Sequence, residues 1–190
     1  KITKAMQLVA SSKLNRQKQL MEENRVYASA LQELMTLVLS SIGDQSIYLH
    51  ENEGKPSYVF VITSDMGLCG GYNSNVLKML SQEVSKEDRI VMIGNRGVNW
   101  IRSRNYKCEQ AFVDLNEDDD YLVLSTQMQN ALELFIKKEI SSIKILYTYF
   151  KNTLTFVPTL ETILPIQKPE SKVEKKSQAQ MIFEPGKEEM

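Results

Sequence analysis

Tyr58-Val-Phe-Val-Ile-Thr-Ser64 decides the fold. The run is apolar and β-branched without polar alternation, the pattern of a strand buried on both faces. Such a strand belongs to a parallel sheet with helices on each side. Downstream the chain repeats that unit. Gly67 to Gly71 turns the backbone, and Val76, Leu77, Leu80 and Val84 supply a helix face. Arg89-Ile-Val-Met-Ile93 reads as a second strand, Asn95 to Arg104 as a helix, and Cys108 to Leu115 as a third strand. Asp118 to Asp120 is an acidic helix start, leading into a face of Tyr121, Leu124, Met128, Leu132, Phe135 and Ile136. Ile143 to Phe150 is the fourth strand and Leu154 to Leu164 the fifth. Only Lys151-Asn152 and their neighbours separate these two, far too few residues for a parallel crossover, so the last strand runs antiparallel. Pro158 and Pro165 suit an edge strand and its end. The expectation is a right-handed, doubly wound α/β sheet of five strands with an antiparallel edge, a Rossmann-like domain over residues 55–166.

Upstream the character changes. The first 42 residues hold neither glycine nor proline and are dominated by good helix formers. Ile2, Met6 and Val9 form one stripe at helical spacing, and Tyr27, Leu31, Leu34, Val38 and Ile42 form another. A helix of that size is about 63 Å long, whereas the rest, folded compactly, has a radius of gyration of about 15 Å. A shaft helix over residues 1–45 is therefore expected to protrude and to need a partner helix, and this chain offers none of comparable length. Lys1, Lys4, Lys13, Arg16 and Lys18 precede the first acid, Glu22, which points to an acidic or hydrogen-bonding lining around the helix. Residues 167–190 read as a polar tail, rich in Lys, Glu, Ser and Gln, whose last residues from Pro185 resemble the first turn of another helix.

Composition narrows the function classes. The 190 residues are 42% hydrophobic and 25% charged, with a formal net charge of −1 that gives no global attraction to nucleic acid or anionic lipid. No apolar run approaches the roughly 20 residues of a membrane-spanning helix. Lys1 to Ala10 does not resemble a signal peptide, and two cysteines, Cys69 and Cys108, make no disulfide framework. A soluble cytoplasmic protein is expected. The single histidine, His50, sits in a polar stretch and reads as a loop residue rather than a general base. Neither a Walker A loop nor a metal-spaced Cys/His cluster is present in the sequence, so no cofactor or metal site is expected.

Thr63-Ser-Asp-Met-Gly-Leu-Cys-Gly-Gly-Tyr-Asn73 is the most specific local feature. It occupies the strand-to-helix turn where α/β proteins often hold phosphate. Its spacing is G-x-x-G-G rather than G-x-G-x-x-G, and Asp88 is a loose match for a ribose-binding acid. A structural turn built on Gly67, Cys69, Gly70 and Gly71 is the better reading. Cys69 near a helix start invites a reactive thiol, but without a paired histidine a packed or surface thiol is favoured. Glu117 to Asp120 lacks the alternation of a calcium loop and reads as a solvated helix start.

Several of these segments converge on one resemblance. Lys1-Ile-Thr-Lys-Ala-Met-Gln-Leu-Val-Ala-Ser-Ser-Lys-Leu14 resembles the N-terminal shaft motif of the gamma subunits of F-type ATP synthases. Thr63 to Asn73 resembles that family's S-D-x-G-L-C-G-G-x-N turn. Tyr147-Thr-Tyr-Phe-Lys-Asn-Thr-Leu-Thr-Phe-Val-Pro-Thr-Leu160, with Leu164-Pro-Ile166, is similar to the edge-strand region. Phe183-Glu-Pro185 is similar to the segment before the family's C-terminal helix. Met66 stands where the family is usually basic, and Phe156 where it is usually polar.

The resemblance implies a non-catalytic rotor. The N-terminal helix would pair, as half of an antiparallel coiled coil, with a long helix following Met190, inside a ring of alternating alpha and beta subunits. Lys1, Lys4, Met6, Val9 and Lys13 would face that ring, with Met6 near acidic, mobile loops of the beta subunits. The α/β domain would stay outside, touching epsilon and the membrane c-ring, at the cytoplasmic face of the membrane. Proton or sodium flow would turn the shaft. Lacking its partner helix, the chain is expected to self-associate artefactually through Ile2, Met6 and Val9. Two other readings compete, a doubly wound nucleotide-binding enzyme and a coiled-coil adaptor with an α/β head.

Overall fold

The computed structural model describes residues 2–41, 45–115, 120–152 and 155–167. It contains two compact units, one holding the N-terminal helix and the other comprising Ser41–Gln167.

Helix α1, Ile2–Ser41, has 40 residues. Unbroken helix propensity sustains it, since neither a first-turn acid nor a last-turn base supports its ends. Gln19 donates to Glu23 one turn on, at 3.0 Å. The side chains of Met6, Leu14, Val26, Tyr27, Leu31 and Leu34 are exposed, and Met21 and Val38 are half-buried. Among the described residues no helix is long and apolar enough to cross a membrane.

The second unit is built on β1, Tyr58–Ile62, as its sequence demands. Its residues pair in parallel with β2, Arg89–Ile93, on one side and β4, Ile143–Asn152, on the other. The sheet order is β3-β2-β1-β4-β5, with β3 at Lys107–Phe112 and β5 at Thr155–Leu164. Alternation along β1 divides the core. Val59 and Val61 pack with Val76, Leu77 and Leu80 of α2, Tyr72–Glu83, and with Val98 and Ile101 of α3, Asn95–Ile101. Tyr58 and Phe60 point the other way, into a cluster with Ala131 and Phe135 of α4, Asp120–Ile136. The sheet is doubly wound, and β5 runs antiparallel to β4.

The strands differ in reach. β4 pairs with β1 as far as Leu146, and from Tyr147 to Asn152 its strand pairing among the described residues is with β5. This outer ribbon carries the ring pair Phe150–Phe156, with centroids 6.0 Å apart.

Three local expectations need correction. Helix α3 ends at Ile101 rather than Arg104, because the Arg104 N–H bonds Ile101 in a tighter turn and Asn105 takes a left-handed φ of 53°. Strand β3 stops at Phe112 rather than Leu115, because Asp114 turns the chain with φ 51°. The buried stripe of α4 runs through Met128, Ala131 and Phe135. Tyr121 in the first turn is 82% exposed and Ile136, about 100° round from Phe135, is 45% exposed. The acidic run's Glu117 to Asp119 and the tail 168–190 lie outside the described residues.

Candidate functional site

Thr63 closes β1 and ties the ends of the parallel strands together. Its N–H and its hydroxyl both donate to the Ile93 carbonyl at 2.8 Å, and its Oγ1 accepts from the Gly97 N–H at 2.9 Å. Gly94 and Gly97 make that approach feasible. Gly94 has φ 94°, and a Cβ there would collide with the Thr63 carbonyl; a Cβ on Gly97 would collide with Met92 Sδ and Thr63 Oγ1. The Gly94-Asn-Arg-Gly97 spacing directly after β2 was the available sequence signal.

The next residues form a self-satisfied turn. Asn73 Oδ1 accepts from the Ser64 N–H at 2.9 Å, and Asn73 Nδ2 donates to Ser64 Oγ at 2.8 Å and to Cys69 Sγ at 3.0 Å. Ser64 Oγ donates to the Met66 carbonyl at 2.6 Å. Asp65 reaches sideways, its Oδ1 accepting from the N–H groups of Asn95 at 2.8 Å and Asp114 at 3.2 Å, so one carboxylate links the ends of β1, β2 and β3. Leu68 and Gly70 take left-handed φ values of 60° and 59°, and Gly71 is the N-cap of α2. Arg96 lays its guanidinium over Gly67, where a Cβ would meet it. Met66, Leu68 and Cys69 are exposed at the tip. Burial, followed by the nearby Cys69, pushes the Tyr72 hydroxyl above its usual range.

Asp88 is not part of this constellation. It precedes β2, at the opposite end of the parallel strands from the turn, and its two oxygens accept from the N–H groups of Ser57 at 2.7 Å and Ser85 at 2.8 Å. That role is a backbone clamp, incompatible with holding a ribose at the turn. His50 is exposed in its loop. Among the described residues no group of His, Cys, Asp or Glu is arranged to hold a metal ion.

On α1, Met6 is 66% and Val9 58% exposed, and Lys4 and Lys13 are exposed too. At about 100° per residue, Met6, Val9 and Lys13 share one face within about 60°, while Lys4 lies nearly opposite. Lys1 falls outside the described residues.

Known proteins match this chain along its whole length. A family model described as ATP synthase covers residues 1–190. The ATP synthase gamma chain of Mycoplasmopsis pulmonis is 37% identical over 190 residues, spanning 99% of this chain and 67% of the relative. That of Mycoplasma capricolum is 36% identical over 192 residues, spanning 100% and 68%. That of Staphylococcus saprophyticus is 32% identical over 194 residues, spanning 98% and 67%. In structure, the chain is similar to one in the central stalk and c-ring of the Tetrahymena thermophila mitochondrial ATP synthase, with TM-score 0.60 and 22% identity, covering 87% of this chain and 73% of that one. The structural likeness shows the shared fold, the sequence relatives show the family, and the chain belongs to the ATP synthase gamma chains.

Proposed function

We infer that the chain works as the non-catalytic rotor of its ATP synthase, converting ion flow through a membrane ring into ordered changes of nucleotide affinity in an alpha–beta hexamer. The observation that carries this reading is α1 itself, a 40-residue helix whose Met6, Val9, Tyr27, Leu31 and Leu34 remain exposed, in a chain matched throughout by gamma chains. A helix with apolar residues at helical spacing is stabilised by covering them. The proposed cover is a helix following Met190, giving an antiparallel coiled coil inside the hexamer. Residues 1–45 are then the shaft and residues 55–166 the domain outside it, touching epsilon and the c-ring at the cytoplasmic face of the membrane. Lys1, Lys4, Met6, Val9 and Lys13 are proposed to meet the hexamer. Gly67, Cys69, Gly70 and Gly71 are proposed to be structural, which the internal bonding of Ser64, Cys69 and Asn73 supports.

The test is reconstitution. A full-length gamma chain containing this sequence, assembled with alpha, beta and the remaining subunits in vesicles, should support ATP-driven ion pumping. Failure to pump, with the chain confirmed in the complex, would overturn the rotor reading. By calorimetry the chain alone should not bind ATP tightly; micromolar affinity would favour the nucleotide-binding alternative and direct attention to residues 67–71.

A further inference from the structure

Asn52 lies between α1 and β1, in the described residues 45–57 that lead into β1. Its neighbours in sequence are polar, yet its side-chain nitrogen is spent on distant backbone. Nδ2 donates to the Phe135 carbonyl at 3.0 Å and to the Ile140 carbonyl at 2.9 Å, groups 83 and 88 residues away. Its own N–H donates to the Ser141 carbonyl at 3.3 Å. Phe135 is buried near the end of α4, and Ile140 and Ser141 lead into β4. An amide nitrogen has two hydrogens to give, and both are used here. A carboxylate of the same shape would instead set its oxygens against two carbonyls.

A second tie lies four residues earlier. The Ile166 N–H donates to the Tyr48 carbonyl at 2.8 Å, and both side chains pack into the α4-side core. The stretch by which the chain arrives from α1 is thus bonded to the stretch by which it leaves β5. Just before β1, Ser57 and Ser142 share a buried hydroxyl bond of 3.0 Å, with Ser141 Oγ 3.3 Å from Ser57 Oγ.

We propose that this seam is a torque clamp and that Asn52 is its positioning residue, making the segment from Tyr48 to Ser57 turn as one body with the sheet. The inference rests on the rotor reading above. An unpinned polar segment of this length absorbs twist by changing its backbone angles; a segment bonded at Tyr48, Asn52 and Ser57 to the sheet unit moves with that unit instead. Asn52 touches no reacting group, so its effect is confined to how faithfully rotation is passed on.

The experiment uses the reconstituted complex with full-length gamma carrying Asn52→Ala, with Asn52→Gln, which keeps the amide but displaces it by one methylene, as the milder variant should the first fail to assemble. Asn99→Ala is the control, since it removes only a bond to Asn95 within α3. Hydrogen exchange of residues 46–58 should quicken about tenfold in the Asn52 variant. ATP hydrolysis should persist while ions pumped per ATP fall; the control should change neither. Faster exchange with an unchanged pumping ratio would reduce Asn52 to an ordinary structural residue and overturn the proposal. Unchanged exchange would show that the clamp does not hold the segment and overturn it equally. If the unsubstituted chain itself fails to pump, the rotor reading falls first and this inference with it.

Discussion

Helix α1 and the sheet unit treat their apolar residues in opposite ways. In the sheet unit β1 hands Tyr58 and Phe60 to one core and Val59 and Val61 to the other, and all four are buried. In α1 the apolar residues repeat just as regularly, yet Met6, Val9, Tyr27 and Leu34 stay exposed. The same chemistry therefore serves two ends. Burial within the unit stabilises the fold, whereas regular spacing without burial keeps apolar area available to a partner. Substitutions in the two regions should differ in what they damage.

The largest effect is expected at Phe135, a fully buried side chain beneath β1. Phe135→Ala should lower the unfolding free energy of the sheet unit by about 3–5 kcal/mol, read by denaturant titration. A loss comparable to that of a surface substitution would break the contrast. Gly94→Ala comes next, since it adds a Cβ against the Thr63 carbonyl at a left-handed φ. About 2–3 kcal/mol of destabilisation is expected, and retained stability would show that the β1–β2 ends can separate cheaply.

Met6→Lys sharpens the other side. The exposed position should tolerate it in the free chain, but if Met6 meets acidic loops of the hexamer as proposed, the added cation would gain a contact of about 1.5–3 kcal/mol in some rotary positions. Pumping per ATP hydrolysed should fall while assembly persists. An unchanged ratio would remove Met6 from the coupling surface. The smallest effect belongs to Val26→Ala. With Val26 73% exposed, thermal unfolding of the free chain should shift by no more than about 0.5 kcal/mol equivalent. A larger loss would mean that α1 depends on that side chain by itself.

Much of the sheet was legible because its signals are local. The apolar run from Tyr58 sets β1, and Arg89–Ile93 falls on the expected residues. The short link after Lys151-Asn152 forces the antiparallel edge, which holds Pro158 where a missing N–H is tolerated. The α4 stripe was partly misread, because Tyr121 and Ile136 fit the spacing but not the buried face. Thr63, Asp65 and Asn52 were not legible as clamps. Each is a polar residue bonded to backbone at least 30 residues away, and no periodic pattern marks such a contact in advance. The same limit made Asp88 resemble a ligand residue when it holds the turns before β1 and β2.

The outer ribbon of β4 and β5 has a thermal consequence. Beyond Leu146 the strand pairing among the described residues is between β4 and β5, and a two-stranded ribbon is marginal by itself in water. The Phe150–Phe156 ring pair holds it closed at 6.0 Å, while Phe156 and Val157 remain exposed. On warming, this ribbon should fray before the five-residue pairing of β1 with β2 loosens. The sheet then shortens at one corner while its centre is still intact, and heat changes the outline of the unit before it changes the fold.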